Sequence, residues 1–111
     1  MDPAKPDINI SDVVATTAGR DAGQWFYVID ADPVFLLLAN GKDRTLEKPK
    51  RKKRKHVQKV LRSETRVAEK LRLGDKVLNS ELRRDLAYLS QELQSTNLRG
   101  SHLGKRRRNR D

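Results

Sequence analysis

An α+β domain, a small β-barrel followed by one or two C-terminal helices, is predicted by three observations. The first half holds short β-branched and aromatic segments joined by tight turns, the hydrophobic period changes near the middle, and the second half carries leucines at helical spacing. With 111 residues there is room for one domain, and with 35% hydrophobic residues its core must be small.

Residues 1–10, with Pro3 and Pro6, form a flexible leader. Residues 12–16 are the first strand, and Ala18 to Gly23 make a loop punctuated by Gly19 and Gly23. Residues 25–29, aromatic and β-branched, are the second strand, ended by Asp30, Ala31, Asp32 and Pro33. Alternation along it puts Trp25 and Tyr27 on one face and Phe26 on the other. Residues 34–39 are the third strand, and Asn40-Gly41 signals a type I′ hairpin returning through residues 42–46 as the fourth. Four short strands in about 35 residues bury a face only by curling or gaining a cover. Val57, Val60 and Leu61 supply a fifth strand that would close a barrel covering residues 11–62.

From residue 63 to 95 the pattern is helical. Val67, Ala68 and Leu71 share one helical face, Gly74 and Asp75 interrupt, and Asn79 or Ser80 can cap a second helix. There Leu82, Leu86, Leu89 and Leu93 recur at spacings of four, three and four, a stripe that packs on the barrel or on a partner protein. Residues 96–111 turn polar and end in an arginine-rich tail, expected to be disordered.

The charge is concentrated. Residues 1–47 carry 4 basic and 8 acidic groups, whereas residues 48–72 carry 12 and 2, and residues 105–111 carry 5 and 1. The centre of this belt is Lys48, Lys50, Arg51, Lys52, Lys53, Arg54 and Lys55, broken only by Pro49. Such a belt fits a polyanion, and its like charges favour an extended path over a helix. Eight extended residues span roughly 26 Å, enough to meet several phosphates. Glycines 19 and 23 permit positive φ and let loop N–H groups approach a phosphate, with Arg20 adding a fork of donors. The same glycines are also what a tight turn requires. Trp25 or Tyr27 could stack on unpaired bases or pack in the core.

The loop Gly19-Arg20-Asp21-Ala22-Gly23 between two apolar strands resembles the KOW motif. Together with Leu46-Glu47-Lys48-Pro49, the basic run, His56-Val57 and the later Asn79-Ser80-Glu81-Leu82-Arg83-Arg84, it resembles the bacterial KOW-domain RNA-binding proteins related to the fourteen-e large-subunit ribosomal protein of archaea and eukaryotes. The resemblance covers about residues 10–90. It implies an SH3-like barrel of KOW type and a non-catalytic protein bound to ribosomal RNA or the large ribosomal subunit. The RNA contacts it implies are Gly19, Arg20, Gly23, the basic run from Lys48 to Lys55 and His56, with Arg106, Arg107 and Arg108 of the tail as an anchoring arm. Gln24 departs from the pattern, because a basic residue is common there, and this shifts weight to the downstream belt.

Other functions find little purchase. There is no cysteine, hence no disulfide framework or thiolate zinc site, and His56 and His102 lack metal-ligand spacing. No cofactor or metal is expected. Neither an NTPase-type phosphate loop nor a nucleophile elbow is present, and an enzyme is not expected. No secretory signal is visible, the longest apolar run (residues 34–39) is far too short to span a bilayer, and no apolar face adjoins the belt, so a cytoplasmic protein without membrane binding is expected. The alternative function is a protein-interaction module of the transcription or translation machinery, using the barrel or Leu82, Leu86, Leu89 and Leu93. Duplex DNA binding would use the same charges, but no major-groove module is recognisable.

Overall fold

The computed structural model describes residues 7–20 and 22–102. It is an α+β fold of strands β1 (Asp12–Thr16), β2 (Trp25–Ala31), β3 (Phe35–Ala39), β4 (Lys50–Lys53) and β5 (Val57–Arg62), then helices α1 (Arg66–Leu73) and α2 (Asn79–His102). A three-residue 3-10 turn, Arg54–His56, joins β4 to β5. All pairings are antiparallel, and the strand order is β4-β3-β2-β1-β5. The hydrogen-bonded sheet is not closed, since β4 and β5 are its two edges.

Period-two alternation gives this sheet two apolar faces. On one face Val14 opposes Phe26 and Val28 opposes Leu38, and with Leu36, Val57 and Ile8 they form a buried cluster. Among the described residues no helical side chain belongs to that cluster, which is built from the strands and Ile8 of the leader. Ile8, in the expected flexible leader, is 4% exposed and is therefore part of the core. On the other face Val13, Tyr27 and Ala39 line up across β1, β2 and β3 beneath Val67, Ala68, Leu82 and Leu86 of the helices. Phe26 and Tyr27 thus take opposite faces, as alternation requires.

The expected strand at residues 42–46 is absent. Asn40 intervenes: its Oδ1 accepts from the backbone N–H of Lys42 and Arg44 at 2.9 and 3.0 Å, so side-chain hydrogen bonding replaces a ladder. Only Gly41 of the pair has positive φ, at 77°, so the turn is not type I′. Gly41 is needed there for a second reason. A Cβ on it would lie 2.2 Å from the Asn79 carbonyl oxygen, because this loop is pressed against the start of α2. The returning strand is instead the basic run itself, paired to β3.

The helix boundaries follow capping chemistry. Thr65 Oγ1 accepts from Ala68 N at the start of α1, and Gly74 ends it with the N–H of Gly74 and Asp75 bonded to the carbonyls of Leu71 and Lys70. For α2 neither Asn79 nor Ser80 caps by its side chain. The Leu78 N–H donates to Glu81 at 2.9 Å, the return half of a capping box, while Asn79 bridges outward to Leu46 N at 2.8 Å and to Glu47 at 2.9 Å. Helix α2 continues through His102, into the stretch expected to be a tail.

A polar network locks the helices to the sheet. The Tyr27 hydroxyl meets Ser63 Oγ at 2.8 Å and donates to Asp85 of α2, and Thr65 Oγ1 donates to the same carboxylate at 2.8 Å. Burial, reinforced by Asp85, pushes the Tyr27 phenol well above its ordinary range. Arg72 reaches from α1 to Ser11 Oγ at 2.8 Å and the Ser63 carbonyl at 3.0 Å, and Lys70 pairs with Glu81 at 2.7 Å. No helix among the described residues is long and apolar enough to cross a membrane.

Candidate nucleic-acid interface

Four residues of the basic run form β4, and strand geometry divides them between two faces. Lys50 and Lys52 oppose Leu38 and Leu36, so they share the face of the helix-free cluster and are half-buried. Arg51 and Lys53 oppose Leu37 and Phe35 and are exposed on the other face. There the Arg51 guanidinium lies 3.5 Å from the centre of the Phe35 ring, and the Lys53 ammonium 6.0 Å from it. The extended path expected for the whole run is present over Lys50–Lys53 and ends in the 3-10 turn from Arg54, and one flat polyanion cannot meet all of the strand's side chains from one side.

The chain then tightens into the 3-10 turn. Arg54 is absorbed into the structure: its Nε donates to the Asp32 carbonyl at 2.8 Å, its NH1 to the Ile8 carbonyl at 3.0 Å, and its backbone N–H to Val34 O at 2.9 Å. It rivets the leader, the β2–β3 turn and the 3-10 turn together, so this member of the expected contact set has internal partners. In that same β2–β3 turn Asp32 accepts from Phe35 N and Val34 N, and these bonds hold its carboxyl below the ordinary range. Lys55 is exposed at the turn, and Lys48 is exposed just ahead of β4.

The glycine loop between β1 and β2 sits beside this turn. Thr17 donates to the His56 carbonyl through its N–H at 2.9 Å and its hydroxyl at 3.0 Å, and Lys52 Nζ reaches the Ala18 carbonyl at 3.4 Å. Gly19 and Gly23 have φ of 93° and 90°, and Gly23 N–H closes the loop on Thr16 O at 2.8 Å. Both glycines are required by the turn, and the exposed Arg20 is carried on it. Gly19, Arg20, Lys52, Lys55 and His56, scattered over 38 positions of sequence, are thereby brought to one end of the sheet. His56 contributes its carbonyl to the junction, at the end of the turn between β4 and β5. Arg106, Arg107 and Arg108 lie outside the described residues.

Several basic residues of the wider belt are occupied within the fold. Lys59 pairs with the buried Asp12 at 3.2 Å, Arg62 with Glu64 at 2.7 Å, and Arg72 with Glu64 at 3.3 Å. The leucine stripe is likewise used: Leu82 and Leu86 are buried against the sheet, whereas Leu93 is 37% exposed. Tyr27 is fully buried, which removes it as a base-stacking platform.

A feature not anticipated from the sequence is a groove of about 550 Å³ between the end of the glycine loop and α2. Trp25, Leu86 and Leu93 give it an apolar lining, and Gln24, Lys42 and Arg83 are polar members of its wall. Gln24 Nε2 reaches Asp43 Oδ2 at 3.4 Å, and Arg83 NH1 donates to the Gly41 carbonyl at 2.6 Å. The available signal for Arg83 was its position directly after Leu82, at the border of the buried stripe. Among the described residues no cluster of three or more His, Asp or Glu side chains is placed to hold a metal ion. Compared with known proteins, the chain matches no protein-family model, and no curated protein matches it.

Proposed function

We propose that this protein is a non-catalytic RNA-binding protein that attaches to ribosomal RNA or the large ribosomal subunit through the glycine loop and the adjoining basic strand. The observation that carries the reading is the juxtaposition of Arg20, Lys52, Lys55 and the loop backbone at one end of the sheet, joined through Thr17–His56 and Lys52–Ala18. Phosphates docked there meet side-chain cations and N–H groups of a glycine-rich turn together, a combination that suits a nucleic-acid backbone. The finer fold is read as an SH3-like barrel of KOW type. A four-stranded meander, a single 3-10 turn and a fifth strand returning beside the first support this reading.

Structured RNA is favoured over a flat polyanion because the basic side chains of β4 point two ways, which suits a ligand with relief. The reading is tested by co-sedimentation with separated ribosomal subunits at low and moderate salt. Large-subunit association that is lost in an Arg20→Ala, Lys52→Ala, Lys55→Ala triple variant supports it. No association of the wild type at either salt overturns the ribosomal assignment.

A further inference from the structure

We infer that the groove between the glycine loop and α2 is a pocket for one unpaired nucleobase of the bound RNA, stacked on Trp25. This rests on the RNA-binding reading and names the part of the ligand that this surface takes. Three observations lead to it. The wall joins an aromatic ring to charged groups: Trp25 is half-buried with part of its ring packed against the core, and the exposed Lys42, Arg83 and Asp43 line the same groove, Arg83 also donating to the Gly41 carbonyl. An indole face and flanking donors are what a base with its attached phosphate requires, and base stacking on an aromatic ring tolerates any base. The groove's volume, about 550 Å³, lies in the range of sites for small organic groups.

The groove is also continuous with the proposed phosphate surface. The glycine loop touches the basic strand at one end, through Thr17 and Ala18, and lines the groove at the other, through Gly23 and Gln24. A strand whose phosphates follow Lys52, Lys55 and Arg20 therefore meets the groove within the length of one loop. Gln24 and Asp43 both line the groove, and Gln24 Nε2 lies 3.4 Å from Asp43 Oδ2. With Asn40 Oδ1 held by the Lys42 and Arg44 amides and Gln24 Nε2 by Asp43, the Gln24 Oε1 acceptor and the Asn40 Nδ2 donor are the side-chain groups left to meet the polar edge of a base.

Trp25 is the single tryptophan of the chain, so its emission reports on this groove alone. The full chain is titrated at low salt with an RNA hairpin bearing a loop of unpaired uridines, and with a blunt RNA duplex of equal phosphate count. Anisotropy of the labelled RNAs reads binding, and tryptophan emission with the unlabelled RNAs reads stacking. The expected result is quenching by the hairpin but not by the duplex, with the hairpin bound more tightly by roughly 5- to 150-fold. A Lys42→Gln variant, changed at an exposed position, should lose part of that preference while keeping its duplex affinity. Equal binding of both RNAs with unchanged tryptophan emission would overturn the pocket and leave the RNA-binding reading standing. Absence of binding by either RNA would sink that reading and the pocket with it.

Discussion

Arg54 and its neighbours show how little a residue's type says about its task until its partners are known. In sequence it is one of a run of cations; in the fold it is the one that donates to the Asp32 and Ile8 carbonyls. Charged hydrogen bonds of this kind contribute roughly 1.5–3 kcal/mol each when partly buried, so Arg54→Ala should lower thermal stability markedly while RNA affinity of the folded protein stays close to wild type. Lys55→Ala should do the reverse, and thermal melts beside RNA titrations of the two variants check the contrast. Tyr27 offers a second test. Its phenol is raised by burial, so the folded protein holds the proton that the unfolded chain releases near pH 10. The stabilisation is complete below that pH and is lost as pH rises above it, by up to about 1.4 kcal/mol per pH unit. Denaturant melts should therefore show Tyr27→Phe less stable by about 1–3 kcal/mol at neutral pH, with a shallower alkaline decline. An unchanged alkaline slope would mean that the phenol is not the titrating group.

At the scale of elements, what was legible in sequence followed simple periodicity. Strands at residues 12–16 and 25–29, the fifth strand near Val57 to Leu61, and both helices lie where alternation and leucine spacing place them. What misled was chemistry that competes with periodicity. Asn40 captured the amides that a hairpin strand would have used, and the run of like charges, read only as a binding strip, supplied the missing strand because β3 needed a partner. The four basic residues of β4 carry little conventional strand preference, so tertiary pairing decided the matter. The junction of α1 and α2 has its own pH signature. Lys70, with the Leu78 N–H, holds the Glu81 carboxyl below its ordinary range, so the pair stabilises the protein above the unfolded-state glutamate value of about pH 4.3. That contribution is lost as pH falls through the lower folded value. Replacing Glu81 by Gln should lower stability at pH 7 and flatten the acid limb of an unfolding profile, whereas an acid limb identical to wild type would locate the acid sensitivity elsewhere.

For the whole molecule, the helices cover one face of the sheet, and the glycine loop meets the basic strand on one side and α2 on the other. The site was legible in its residue types but not in its division of labour. Sequence marked the glycine loop and the run as separate basic features, and the Thr17–His56 and Lys52–Ala18 contacts that join them depend on how the sheet bends. Nor did sequence show that Arg54, Lys59, Arg62 and Arg72 serve internal partners, which leaves fewer cations for a ligand than the belt's composition implies. With about three to four phosphates engaged, log affinity for RNA should fall with log salt at a slope of roughly −2 to −3.6. The measurement that tests this account most directly is that slope, taken with a structured ribosomal RNA fragment for the wild type and for the Arg20→Ala, Lys52→Ala, Lys55→Ala variant. The account predicts weaker binding and a slope shallower by about 2 to 3 in the variant. Equal slopes for the two proteins, both folded, would contradict the claim that this end of the sheet grips the RNA backbone.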